Sequence, residues 1–217
     1  MRPEAPERFE RRSLRYERIG REHAVALEAL LLDPRVYRTL HPGPDPPTVA
    51  DVLAHVQDNH GHWERHGFGQ WLLRDRLTGE MVGRGGLQHT DVVAPVVKAA
   101  GDRVVEVASP AAGEIRCPTV VEVAWAIVPE RWGQGLATEL ALASVEVAFD
   151  WLGLAELIAF TLPGNLASRR VMEKAGFAYE REIEHAGLPH VLYRRVRAST
   201  GVSGTSASAP GTPASAL

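Results

Sequence analysis

Apolar positions along the chain switch between a period of two and a period of three to four, and the switches mark out the elements. Ser13 to Glu17 alternates and predicts a short first strand. Arg21 to Leu32 predicts a helix that ends near Asp33-Pro34. A loop rich in proline from Leu40 to Pro47 leads to Thr48, an N-cap residue with Asp51 in the capping-box position. Val49, Val52, Leu53, Val56, His60 and Trp63 then share one face of a second helix. Strands around Gln70–Arg74 and Met81–His89 are joined by Asp75-Arg-Leu-Thr-Gly-Glu80, a hairpin with a longer turn. Residues 91–117 carry mixed signals and are assigned to no element. Val120–Val128 alternates as a central strand, and Leu136, Leu140, Ala143, Val147 and Trp151 recur at helical steps after it. Leu157 to Leu162 reads as a buried strand. Asn165 caps a further helix that Gly176 is placed to end. Tyr179–Glu184 and His190–Val196 form a final hairpin about Ala-Gly-Leu-Pro189. Hairpins, a helical crossover and a last hairpin predict an α/β fold of the α+β type, with one mixed sheet and helices on its faces.

Composition narrows the function without naming it. The chain has 217 residues, 45% of them hydrophobic, and a net charge of −3, which suits one ordinary core. Residues 1–197 read as a single domain. Residues 198–217 are almost wholly Ala, Ser, Thr, Gly and Pro, a tail expected to be disordered. Slight acidity argues against a nucleic-acid binder. No apolar run approaches the ~20 residues that cross a bilayer, and the charged N-terminus lacks the core of a signal peptide. Cys117 is alone, which fits a reducing cytoplasm. Monomer and homodimer are both open.

The segment with most chemical content is Val121-Glu-Val-Ala-Trp-Ala-Ile-Val-Pro-Glu-Arg-Trp-Gly-Gln-Gly-Leu-Ala-Thr138. A strand enters a glycine loop that opens directly into an amphipathic helix. The first amides of a helix have no internal partner, and the helix dipole adds partial positive charge, so such a loop receives anions. The backbone from Gly133 through Gln134, Gly135, Leu136 and Ala137 to Thr138 is therefore a candidate diphosphate site. Glycine at 133 and 135 is expected to clear space that a Cβ would block. No Lys-Ser/Thr follows the last glycine and a third glycine is missing, so neither the Walker loop nor the dinucleotide fingerprint is met.

A second segment, Pro163-Gly-Asn-Leu-Ala-Ser-Arg-Arg-Val-Met-Glu-Lys-Ala-Gly-Phe177, follows at a fixed distance. Trp132-Gly-Gln-Gly-Leu-Ala-Thr138 and Asn165-x-x-Ser168-x-x-Val-Met-Glu-Lys-x-Gly-Phe177 together resemble the GNAT superfamily of N-acetyltransferases, with the nearest likeness in its ribosomal-protein-alanine acetyltransferase subgroup. The resemblance spans roughly residues 9–196. It implies a mostly antiparallel sheet with two parallel central strands splayed apart, helices on both faces, and acetyl-CoA as cosubstrate with its pantetheine arm in the splay. It also implies that Ile127 and Val128 pair with the pantetheine amides like an added strand, and that Asn165 lies near the same arm. Many members place a thiolate-protonating tyrosine where this chain has Met172. Methionine has no proton to donate, and the subgroup implies instead that Ser168, one turn earlier, hydrogen-bonds the sulfur.

Acetyl transfer from a thioester to an amine needs a group that takes the ammonium proton. Glu122 sits in an apolar strand context, where a carboxylate has a raised pKa and becomes a base; a structural glutamate bonding a neighbouring strand is the competing reading. His89 is a second candidate by its intrinsic pKa. His55, His62 and His66 are expected on a solvated polar face of the second helix, with contact to substrate as the alternative, because the resemblance implies that the first two helices border the acceptor groove. His62 and His66 have the i, i+4 spacing of a metal pair without the zinc-protease motif, and no metal is expected. His41, Trp63, His66, Phe68, His89 and His190 are expected to border the acceptor groove. The reading is thus an acetyl-CoA-dependent N-acetyltransferase working by direct attack in a ternary complex, on a protein or peptide N-terminus or an amino-acid-like amine. The alternatives are an enzyme for an aminoglycoside or polyamine, and a non-catalytic acyl-CoA-binding module.

Overall fold

The computed structural model describes residues 3–40, 45–90 and 120–198. The undecided 91–117 stretch, His41 and the tail beyond Ala198 lie outside them. One eight-stranded sheet runs through the molecule in the order β1-β2-β3-β4-β5-β6-β8-β7. Its strands are β1 (Arg8–Glu10), β2 (Leu14–Arg18), β3 (Gln70–Asp75), β4 (Met81–Thr90), β5 (Val120–Ile127), β6 (Glu156–Thr161), β7 (Ala178–His185) and β8 (Leu188–Val196). Neighbours are antiparallel except β5 and β6. That pair is parallel and held at a single register position, Glu122 opposite Ile158. The splay implied by the family likeness is therefore present.

Helices cover both faces. On one side lie α1 (Ala24–Leu31), α2 (Pro34–Leu40) and α3 (Val49–His66), with Val36, Val52 and Val56 packed on Leu72 and Ala126. On the other lie α4 (Leu136–Glu146) and α5 (Leu166–Lys174), with Leu140, Ala143 and Met172 packed on Trp71, Leu87 and Val123. Strand alternation does the sorting: Trp71 and Leu73 enter one core, Leu72 the other.

The local grammar holds well at the caps. Thr48 and Asp51 form the expected reciprocal box, and α3 ends at a left-handed Gly67. Strand β1 and helix α2 were absent from the sequence reading. Three residues carry too little periodicity for the first, and Pro34, read as a stop, is instead the first residue of a new helix. The final turn also differs. It is only Ala186-Gly187, with positive φ at both (50° and 74°), so Leu188 and Pro189 belong to β8.

Two predicted faces change. Val49 and Leu53 are exposed, and the buried stripe of α3 is Val52, Val56, Asn59 and Trp63. Trp151 is 53% exposed because α4 runs into a π-turn over Val147–Trp151, marked by the bond from the Leu152 amide to the Val147 carbonyl. The wider turn advances the helical phase and buries Phe149 and Leu152 instead.

Candidate active site

A cavity of about 580 Å³ lies at the splay and is lined by elements from both faces of the sheet. Its floor comes from β5, one wall from the glycine loop and α4, another from α5, and its far end from α2, α3, β6 and the β7–β8 hairpin.

The glycine loop takes its shape from backbone demands. Gly133 and Gly135 have φ of 74° and 82°, and Gly135 is the N-cap of α4. An L-residue in that region is strained by about 1–2 kcal/mol. A Cβ at either glycine would meet no protein atom within 4 Å. Positive φ is a demand for glycine that the sequence reading did not name, and the open space beside both residues is the cavity, where a guest could approach the backbone. Gly133, Gly135, Leu136, Ala137 and Thr138 line the cavity. Gln134 does not; its carboxamide accepts from Arg131 Nε at 2.8 Å and donates to the Glu130 carbonyl at 3.3 Å. Arg131 also lines the cavity and donates to Asp75 at 2.5 Å, which pulls that carboxyl down to about 2. Arg131 thereby ties the loop to the β3–β4 turn and brings a cation near the candidate diphosphate site. Sequence reading passed over it as one arginine among many.

On β5 the two expected pantetheine contacts separate. The Val128 amide donates to the Val82 carbonyl at 2.9 Å, and the Val128 carbonyl accepts from Arg131. Val128 therefore faces β4, and alternation turns the backbone of Ile127 and Trp125 toward the splay. Ile127 and Trp125 line the cavity, and the Ile127 carbonyl accepts from the Trp132 indole at 2.7 Å.

Glu122 lies at the cavity floor, 6% exposed. Burial pushes its carboxyl up to about 7, although a bond from Gln88 and the charge of Arg84 pull the other way. Those partners form a chain along one sheet face. Arg84 donates to Gln70 at 2.9 Å, Gln70 to Gln88 at 2.5 Å, and Gln88 to Glu122 at 2.8 Å. Gln88 stands directly opposite Glu122 in the β4–β5 ladder. Burial lowers the Arg84 guanidinium to about 10, so it stays cationic at neutral pH. Gln70, Arg84 and Gln88 were missed by sequence reading; polar residues at alternate positions of two apolar strands were the available signal.

Ser168 and Met172 line the cavity from one face of α5, with Asn165 beside them. The Asn165 side-chain oxygen accepts from the Ser168 amide at 3.1 Å, so capping holds the serine's turn in place. The acceptor-side expectation is largely corrected. Of its residues, His190 alone among those described lines the cavity, with Phe160 and His185, which were not foreseen there, and His55, for which contact with substrate was the alternative reading. Trp63 and Phe68 are core, and His62, His66 and His89 gather elsewhere. The expected solvated histidine face is absent: His55 meets the cavity, and His62 and His66 are half-buried.

Comparison with known proteins agrees with this geometry. The acetyltransferase (GNAT) domain family matches residues 13–178. An uncharacterized protein of Bacillus subtilis, YkkB, is 27% identical over 140 residues, covering 64% of this chain and 68% of that protein. The ribosomal-protein-S5-alanine acetyltransferase of Vibrio fischeri superposes with a TM-score of 0.60 at 15% identity, covering 87% of this chain and 96% of that one. An aminoglycoside acetyltransferase in complex with coenzyme A gives 0.60 at 20% identity, covering 85% and 95%. With a glycine loop at a helix N-terminus, a splayed parallel pair and a family match over most of its length, the chain belongs to the GNAT acetyltransferases and is an acetyl-CoA-dependent N-acetyltransferase.

Proposed function

We propose that this acetyltransferase acts on a single primary amine with little other positive charge, carried by a protein or peptide N-terminus or an amino-acid-like molecule. The observation that carries the reading is the cavity lining. Glu122 is its one carboxylate among the described residues, and the acceptor end is built from His55, Phe160, His185, His190, Val36 and Leu40. A polyamine or aminoglycoside brings several cations, and holding them calls for several carboxylates.

In this reading the amides of the Gly133–Thr138 loop hold the diphosphate, and the Ile127 edge and Asn165 border the pantetheine. Glu122 takes the ammonium proton, directly or through a water. The free amine attacks the thioester carbonyl carbon, the carbon–sulfur bond breaks as the Ser168 hydroxyl donates a hydrogen bond to the departing thiolate, and the nitrogen's remaining excess proton passes to that thiolate, leaving the amide and free coenzyme A. The buried Arg84–Gln70–Gln88 chain aims and tunes Glu122, which favours catalysis over a mere acyl-CoA-binding module. A reducing cytoplasm suits a chain with one cysteine.

The test is a steady-state comparison at equal concentration of a small neutral peptide with a free N-terminus against spermidine and kanamycin. Faster acetylation of the peptide is expected. A strong preference for either polycation overturns the acceptor assignment.

A further inference from the structure

Away from the cavity, α3 and β4 bring together three imidazoles with no part in the chemistry above. His62 and His66 stand one turn apart on α3, and His89 comes from the end of β4. One ring nitrogen from each lies within 4.8 Å of the others. The ring centroids are 4.5 Å apart for His62–His66, 5.1 Å for His62–His89 and 4.4 Å for His66–His89. His62 Nε2 is 3.1 Å from His89 Nδ1. Two imidazoles on one tetrahedral ion, at the usual ~2.0–2.1 Å zinc–nitrogen distance, have their ligand nitrogens roughly 3.3 Å apart.

The orientation of His62 is a second, independent observation. Its Nδ1 lies 2.7 Å from the Phe68 carbonyl, which can only accept, so Nδ1 carries the proton. Nε2 is then the bare nitrogen, and it accepts from the His89 amide at 3.1 Å. A ligand imidazole whose other nitrogen donates to a backbone carbonyl is the usual outer arrangement of a protein metal site. Nearby Arg65 opposes added positive charge here, and a bound ion would displace the bond that the His89 amide now makes to His62 Nε2.

We infer that His62, His66 and His89 form a three-imidazole site for a borderline first-row divalent cation, Zn²⁺ being the natural probe, which staples the last turn of α3 to the end of β4. Imidazole suits such ions, whereas magnesium and calcium prefer oxygen. With three protein ligands the fourth position is left to water or another small ligand. The site is structural with respect to acetyl transfer: none of the three lines the cavity, and alternation turns His89 away from Gln88. It reverses the expectation of no metal and stands independently of the proposed acceptor.

The experiment uses tag-free full-length protein near neutral pH. Equilibrium dialysis should find one Zn²⁺ per chain, and Co²⁺ should give the intense visible absorption of a tetrahedral nitrogen-ligated ion. His66→Ala and His89→Ala should each weaken Zn²⁺ binding by more than the ~10–100-fold typical of outer-shell changes. Their acetyl-CoA affinity should be retained, and His60→Ala on the same helix should bind normally. Zn²⁺ should raise the melting temperature of the wild type and of neither ligand variant. Sub-stoichiometric zinc, a weak octahedral cobalt spectrum, or unchanged affinity in both ligand variants overturns the site. The wild-type spectrum decides alone if a variant fails to fold.

Discussion

At Glu122 the carboxyl proposed as the base is also a source of strain. Its pKa of about 7 exceeds the ordinary value of 4.5 because burial penalises the charge. A folded-state pKa raised above the unfolded one contributes stability that is complete below 4.5 and lost as pH rises through 7. Glu122→Gln lacks that dependence. Its stability relative to wild type should therefore rise by about 3 kcal/mol between the two values and stay flat above, as read by urea denaturation across pH. A pH-independent difference would mean that the carboxyl titrates normally. Kinetically, Glu122→Gln should lose most activity near neutral pH and recover as pH rises and the amine loses its own proton. An unchanged pH–rate profile would leave proton removal to solvent. Ser168→Ala should lower kcat more than it weakens acetyl-CoA binding, since charge on sulfur develops only as its bond breaks. An equal loss in both, by calorimetry and steady-state kinetics, would make Ser168 a binding residue only.

Two helix starts are proposed to hold the cosubstrate. At Gly135 the demand for positive φ can be separated from the demand for an anion site, because a Cβ there meets open space. Gly135→Ala should cost about 1–2 kcal/mol of stability while acetyl-CoA still binds. Gly135→Asp adds a negative charge at the proposed diphosphate site and should abolish binding in a folded protein. Near-normal affinity of the aspartate variant by calorimetry would remove the loop from the phosphate site. At Asn165 the side chain caps α5 through the Ser168 amide. Asn165→Ala should cost about 1 kcal/mol in thermal unfolding, with Asn165→Asp restoring most of it. Failure of the aspartate to rescue would point to contacts other than the cap.

Over the whole molecule, β5 and β6 meet at one register position and then part. A sheet opened at its centre leaves backbone groups to be satisfied by a guest or by water. Acetyl-CoA, binding the folded state alone, should therefore stabilise the protein by about 2.7 kcal/mol at a hundredfold excess over its dissociation constant. Differential scanning calorimetry would measure it, and the gain should vanish in Gly135→Asp. A stabilisation that survives that substitution would place the coenzyme elsewhere.

Much of this was legible one residue after another. The strand, glycine loop and helix around Gly133 and Gly135, the Thr48–Asp51 box, the Asn165 cap and the lone carboxylate in an apolar strand are local: periodicity, caps and positive-φ residues act within a few positions. The π-turn was not legible, because its cost is met by packing Phe149 and Leu152, and Trp151 was misplaced with it. Nor was the polar chain from Arg84 through Gln70 and Gln88 to Glu122, since cross-strand register between β3, β4 and β5 makes those bonds. The histidines show the division most plainly. Spacing along α3 pairs His62 with His66, but only the docking of α3 against β4 brings in His89 and turns His55 toward the cavity. Short-range chemistry was written in the order of the residues; the company each side chain keeps came from which strand lies beside which.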